Sequence, residues 1–321
     1  MAKARGIDDV LASLAALRGQ PAEPEARDQI ARALASKANI VAAKAADIAR
    51  ELKVPGLGPQ LGEAFVRFLR DSKSPDKGCA AKTAIARAAL ELECPDEELF
   101  RLGIRHVQIE GFGPSDVAAE LRGLCALGLV QVRSRGAMNE VAELLADREP
   151  QARIGAVRAL AYAGKEEGAL VLRFKAISGD PNPAVVGECL TALLLLQPDE
   201  ALPFVERFLE SPDEVLQEEA ALALGTSKRP QALEILRRTY PRARDRRLRQ
   251  VLLTAFASLR FPDAIDFLVS IVETDRPESA IDAVKALQIH RNNTALRERL
   301  SQVVTHRADA SLRSAFQKTL E

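Results

Sequence analysis

Apolar residues recur at helical spacing along almost the whole chain. Ile7, Val10, Leu11, Leu14 and Leu17 fall on one side of a helix over 7–18, because positions three and four apart share a face. The same spacing predicts helices over 25–35, 40–52, 61–69, 78–92, 96–107 and 115–127. Gly19, Gln20 and Pro21 close the first of them, and Pro55, Gly56, Gly58 and Pro59 separate the third from the fourth. Loops in this part are long and uneven.

From Cys125 the pattern becomes periodic. An alanine followed by an apolar residue opens one helix at Ala137-Met138, Ala169-Leu170, Ala201-Leu202, Ala232-Leu233, Ala264-Ile265 and Ala295-Leu296, at spacings of 31 or 32. A second register closes the partner helix at Ala126-Leu127, Ala159-Leu160, Ala192-Leu193, Ala223-Leu224, Ala255-Phe256, Ala286-Leu287 and Thr319-Leu320, at spacings of 31 to 33. Two registers with one period and two helices per unit mean an array of helical hairpins. Val141, Leu144 and Leu145 form a stripe that Val205, Phe208 and Leu209 repeat. A lone hairpin cannot bury its stripes, so neighbouring units must cover them. The reading is an all-α, right-handed α-solenoid of stacked antiparallel hairpins, divergent over 1–124 and continuous with regular repeats over 125–321.

Composition agrees. The chain is 47% hydrophobic with only 4% aromatics and no Trp, a core of small residues rather than the aromatic and β-branched residues of strands. Lys plus Arg and Asp plus Glu number 45 each, whereas a protein working on nucleic-acid backbone carries a basic excess. Few aromatics also leave little for base stacking, so protein partners are favoured over nucleic acid. The first ten residues have no apolar core of signal-peptide length, and no charge-free run spans a bilayer. The expectation is a soluble, cytoplasmic protein without membrane contact. Cys79, Cys94, Cys125 and Cys189 form no CxxC pair, so reduced thiols are the default. The glycines 56, 58 and 62 lack the Lys-Ser/Thr of a nucleotide loop. No catalytic or metal-binding motif is present, and no cofactor is expected.

The run from Asp147 through Arg153, Ala156 and Ala159 to Leu160 resembles the HEAT-repeat pattern, especially its short phycobiliprotein-lyase-like subtype. The resemblance implies that Asp147 and Arg153 belong to a polar ladder between adjacent repeats, and that the alanines let helices approach. Later units keep the packing residues but lose the pair, with Val186 six residues after Asp180 and Gln217 six after Ser211. On this reading the 147–153 unit alone keeps the pair in full. The resemblance further implies a concave face lined by the helices after each mid-repeat turn, carrying Arg153, Glu214, Glu218, Arg246, Arg249, Asp282 and Lys285. It implies scaffold function, with a bilin-lyase-like enzyme or enzyme subunit as the alternative.

Two stretches carry candidate chemistry. Residues 228–249 hold nine basic against two acidic side chains, a net +7, including Arg242, Arg244, Arg246 and Arg249. That suits a phosphate, a nucleic acid or an acidic partner. Residues 199–219 hold eight acidic side chains against one basic, among them Glu214 and Glu218. One repeat separates Glu206 from Arg238, Glu210 from Arg242 and Glu214 from Arg246, so the two blocks can also neutralise each other along the array. The second stretch is the irregular loop 103–120. Arg105, His106, Glu110 and Asp116 could place a base beside carboxylates or make a specific contact. Alternatively, Ser115 and Asp116 start the next helix.

Overall fold

The computed structural model describes residues 2–19, 24–70, 75–113 and 115–320. The break expected at 19–21 and, at Pro114, the loop 103–120 lie partly outside them. The chain is an all-α solenoid whose helices gather into two compact units, Met1–Gly168 and Ala169–Glu321.

In the first unit the helices are α1 (Ala2–Ala15), α2 (Pro24–Leu34), α3 (Asn39–Glu51), α4 (Gly58–Arg70), α5 (Ala80–Glu91), α6 (Glu97–Gly103), α7 (Ala119–Gln131), α8 (Ala137–Leu144) and α9 (Pro150–Ala163). Each even helix packs on the odd helix that follows it, and α1, α3, α5, α7 and α9 stack in succession as one layer. The second unit begins within α10 (Glu166–Ser178). It continues with α11 (Pro183–Leu196), α12 (Pro198–Glu206), α13 (Glu214–Thr226), α14 (Pro230–Thr239), α15 (Arg246–Leu259), α16 (Pro262–Thr274), α17 (Pro277–Ala286), α18 (Thr294–Arg307) and α19 (Ala310–Leu320). Here too the odd helices from α11 to α19 stack in order. No helix is long and apolar enough to cross a membrane among the described residues.

Local chemistry sets the boundaries. Proline occupies the first turn of α9, α11, α12, α14, α16 and α17, where its missing N–H has no intrahelical partner to lose. The carboxylates of Asp96, Asp213 and Asp245 cap α6, α13 and α15 by accepting from Leu99, Val215 and Leu248 N–H. The register residues Ala126, Ala159, Leu160, Ala223 and Leu224 are buried. Close approach is achieved by removing side chains altogether. Gly123 in α7 and Gly155 in α9 oppose each other, and a Cβ on Gly155 would lie 2.3 Å from Gly123 Cα.

One predicted helix starts late. Residues 115–116 are not its first turn but a short strand, β2 (Ser115–Asp116), paired antiparallel with β1 (Ile109–Glu110). The preceding helix stops at Gly103 rather than at 107. A β-hairpin is therefore inserted between α6 and α7, and its polar side chains explain why.

Candidate interaction sites

The inserted hairpin closes over a buried polar ladder. Arg122, in α7, extends its guanidinium between two carboxylates. Its Nη1 donates to Asp116 Oδ2 at 2.7 Å, and its Nε and Nη2 donate to Asp147 Oδ2 and Oδ1, both at 2.8 Å. Nη1 also donates to the His106 carbonyl at 2.9 Å. Asp116 precedes Arg122 by six residues, as Asp147 precedes Arg153, so the 147–153 unit is not alone in keeping the pair. Asp76 and Lys82 repeat the spacing once more as a buried ion pair, Nζ–Oδ2 3.8 Å. Arg122 crosses to the Asp147 of the next unit. Within its own unit Arg153 donates to the Asp147 and Arg148 carbonyls, at 2.7 and 3.0 Å.

The other candidates of this loop are tied into the same network. Gln108 accepts from Lys82 Nζ at 2.5 Å and donates to the Asp76 carbonyl at 2.7 Å and to Glu110 at 2.6 Å. Glu110 in turn accepts from Gly78 N–H at 3.0 Å. The ring of His106 faces Gln108 Oε1 at 3.2 Å, not a carboxylate, so no base–carboxylate pair is formed there. Arg105 pairs with Glu140 at 3.2 Å. The hairpin's large apolar side chains, Val107, Ile109 and, at its tip, Phe112, are exposed. This stretch uses most of its polar groups internally and presents hydrophobic ones beside Arg105 and Ser115.

The titration of this network favours neutral pH. Burial lowers the His106 pKa, which the Gln108 hydrogen bond only partly offsets. Burial raises that of Asp116, but bonds from Ala118 and Gln108 N–H and from Arg122 outweigh it, and the result is lowered. Both groups are depressed, so both stabilise the fold at high pH. The His106 contribution is complete above its unfolded value of about 6.5 and is lost as pH falls through the lower folded value. The Asp116 contribution goes the same way below about 3.9. Hydrogen-exchange protection of the Gln108 and Ala118 amides is accordingly expected to fall in two stages on acidification, the first stage missing in His106→Gln. Protection that is flat from pH 7 to 5 in the unsubstituted chain would refute this.

In the second unit the basic turn is largely paired. Arg238 binds Glu206, one repeat away as the spacing requires. Arg246 binds Asp282 at 3.4 Å instead of Glu214, and Arg247 binds Glu218 at 2.7 Å. Arg249 donates to the Arg244 carbonyl at 3.5 Å. Glu218, Asp282 and Arg153, expected on a partner-facing concave surface, are buried. Each lies in the odd-helix layer of its own unit and bonds a neighbouring polar group. Arg242 and Arg244 share a cavity of about 320 Å³ with Arg238 and with Glu206, Glu210, Glu214 and Asp245. Four carboxylates against three guanidiniums leave this cavity without a basic excess.

Among the described residues, an exposed apolar stripe lies elsewhere, on α10. Leu170, Phe174 and Ile177 are 70%, 71% and 65% exposed, at the i, i+4, i+7 spacing of one helix face. The repeat register would bury two of them. Leu202, Leu233 and Leu296 occupy the register of Leu170 at 5–7% exposure, and Leu145, Leu209 and Tyr240 occupy that of Ile177 at 6–8%. α10 buries Ala169, Leu172 and Ala176 instead, so a helix with apolar residues on two sides leaves one of them in water. The residues were visible in the sequence. Their facing was not, because a helix with apolar residues on more than one side has no single preferred face.

Residues 170–257 match the family model for HEAT repeats. No curated protein sequence matches the chain. Among solved structures, the fold is similar to the complex of CpcE and CpcF of phycocyanin lyase from Nostoc sp. PCC7120, with 18% identity, 79% of this chain and 94% of that chain covered, and a TM-score of 0.39. It is similar also to an engineered protein, with 16% identity, 99% and 93% covered, and a TM-score of 0.36.

Proposed function

With residues 170–257 formed of HEAT repeats, we propose that the chain is a non-catalytic scaffold that holds another protein against α10. The observation that carries this reading is the exposed Leu170, Phe174 and Ile177 stripe, in which Leu170 and Ile177 stand in water at register positions where Leu202, Leu233, Leu209 and Tyr240 are buried. Exposed apolar side chains at helical spacing are the surface that an amphipathic partner helix covers. Three side chains form a patch short of the roughly 800 Å² per partner of a stable interface. Self-association through the stripe alone would be weak, so the occupant reaches beyond it, as a helix of a different protein laid along α10 does. The acidic Glu166 and Glu167 in the first turn of α10 favour a basic residue at the corresponding end of that helix.

A photo-crosslinking residue at 174 in the native host is expected to trap one protein. Purified, that protein should bind the unsubstituted chain and lose at least about tenfold in affinity to Phe174→Asp, the scale of an aromatic anchor. Because the site is exposed, helicity of the variant should be unchanged. Equal binding by Phe174→Asp, or a crosslink to a second copy of the chain, overturns the reading. A visible absorbance shift on mixing the purified chain with a bilin would move it to the lyase-like class.

A further inference from the structure

The first unit contains a cavity of about 700 Å³ at the meeting of the α7–α8 turn with the end of α9. Its charged lining is Arg133, Arg135 and Lys165, with no carboxylate among the lining residues. The other cavities with charged walls mix both signs. Several exposed arginines elsewhere pair across one repeat, as Arg18 does with Glu51, Arg87 with Glu120, Arg238 with Glu206 and Arg299 with Asp266. Arg133, Arg135 and Lys165 are exposed and have no ion-pair partner among the described residues.

Helix ends account for part of this arrangement. Arg133 follows α7, where a cation complements the negative end of the helix; Lys165 lies between the end of α9 and the start of α10 and so meets both. Arg135 is less favourably placed. It lies two residues before α8, at the positive end of a helix dipole, where a cation is unfavourable unless an anion joins it. The turn holding it is fixed from below: Arg101 Nη2 donates to the buried Ser134 Oγ at 2.6 Å and to the Arg135 carbonyl at 3.5 Å, and Ser134 Oγ donates to Glu97 at 3.0 Å. Arg133 and Arg135 flank that anchored serine. The backbone at Gly136 is left-handed, φ 81°, and the Met138 amide, next along in the cavity wall, has no acceptor among the described residues. On the α9 side the ring of Tyr162 is exposed, and the volume is that of a small-molecule site.

We propose that this cavity binds a phosphate-bearing small molecule, its anionic group held by Arg133, Arg135 and Lys165 and a flat ring lying on Tyr162. Like charges gathered in a concave wall focus the field on an incoming anion. Guanidiniums grip phosphate through paired N–H donors.

Isothermal titration at low salt separates the two halves of the site, using inorganic pyrophosphate and ATP as probes. Both are expected to bind the unsubstituted chain. An Arg133→Ala/Arg135→Ala variant with unchanged helicity should lose at least about tenfold for each, and Tyr162→Ala should weaken ATP while leaving pyrophosphate unaffected. Arg242→Ala/Arg244→Ala should change neither. No heat with either probe at millimolar concentration, undiminished binding by the Arg133/Arg135 variant, or loss in the Arg242/Arg244 variant each overturns the assignment. Equal weakening of both probes by Tyr162→Ala overturns the ring contact. The scaffold reading is not touched by any of these results, since it rests on α10.

Discussion

Replacing Arg122 by alanine is expected to destabilise the N-terminal unit by about 3–5 kcal/mol, the cost of breaking a buried ion pair from one side. The argument rests on what stays behind. The side chains of Arg122, Asp116 and Asp147 are 3%, 7% and 15% exposed, and removing the guanidinium strands both carboxylates in a site with little water. Asp116 keeps the Gln108 and Ala118 amides and Asp147 keeps Glu149 N–H, so neither is wholly orphaned, but the compensating charge is gone. At roughly 2–4 °C per kcal/mol for a unit of this size, the calorimetric midpoint of that unit should fall by about 6–20 °C. Arg122→Lys should recover only part of the loss, because a point charge cannot repeat the bidentate grip on Asp147. The deficit of the alanine variant should also shrink as pH drops, since Asp116 without Arg122 takes up a proton more readily than Asp116 bonded to it. The exposed Arg299–Asp266 pair supplies the contrast, with a loss under about 1 kcal/mol on truncation. A midpoint within 2 °C of the unsubstituted chain at pH 7 would mean that the ladder does not hold the unit.

That ladder was only half legible in the sequence, for a geometric reason. The six-residue spacing of Asp147 and Arg153 also separates Asp116 from Arg122 and Asp76 from Lys82. Yet Asp116 follows Asp76 by forty positions, whereas Asp147 follows Asp116 by thirty-one. The inserted hairpin breaks the period, so a search for constant spacing stops at Cys125 while the packing continues through it. Hydrophobic periodicity found the hairpin array because Ala159, Leu160 and their counterparts must be buried in every unit for the units to stack. It could not fix the azimuth of α10, where Leu170 leaves the buried register that Leu202 keeps. Charge patterns proved ambiguous in a similar way. The arginine-rich turn, conspicuous by composition, faces carboxylates from the preceding repeat, whereas Arg133 and Arg135 are too few to form a run and Lys165 joins them only when α8 and α9 fold.

Gly155→Ala adds one methyl group and is expected to cost about 3 kcal/mol or more, at or beyond the upper end of overpacking penalties. Ordinarily that substitution stabilises a helix by up to about 1 kcal/mol, since alanine loses less backbone freedom on folding. Here the new Cβ would sit 2.3 Å from Gly123 Cα and 3.2 Å from Gly123 C. Backbone cannot rotate away as a long side chain does, so α7 and α9 have to separate, loosening the Leu121, Ala126, Ala152 and Ala159 core around them. The same separation would disturb the Arg122–Asp147 bond, which spans from α7 to the turn before α9, so the Arg122→Ala and Gly155→Ala penalties should be less than additive. Gly6→Ala provides the opposite sign within one chain. Gly6 is exposed within α1 and a Cβ there meets nothing within 4 Å, so the helix-propensity gain should appear undiminished. Chemical denaturation of the three proteins decides the matter. If Gly155→Ala proved as stable as the unsubstituted chain, the two helices could not lie at the distance on which the stacked layer, and with it the repeat register of the first unit, depends.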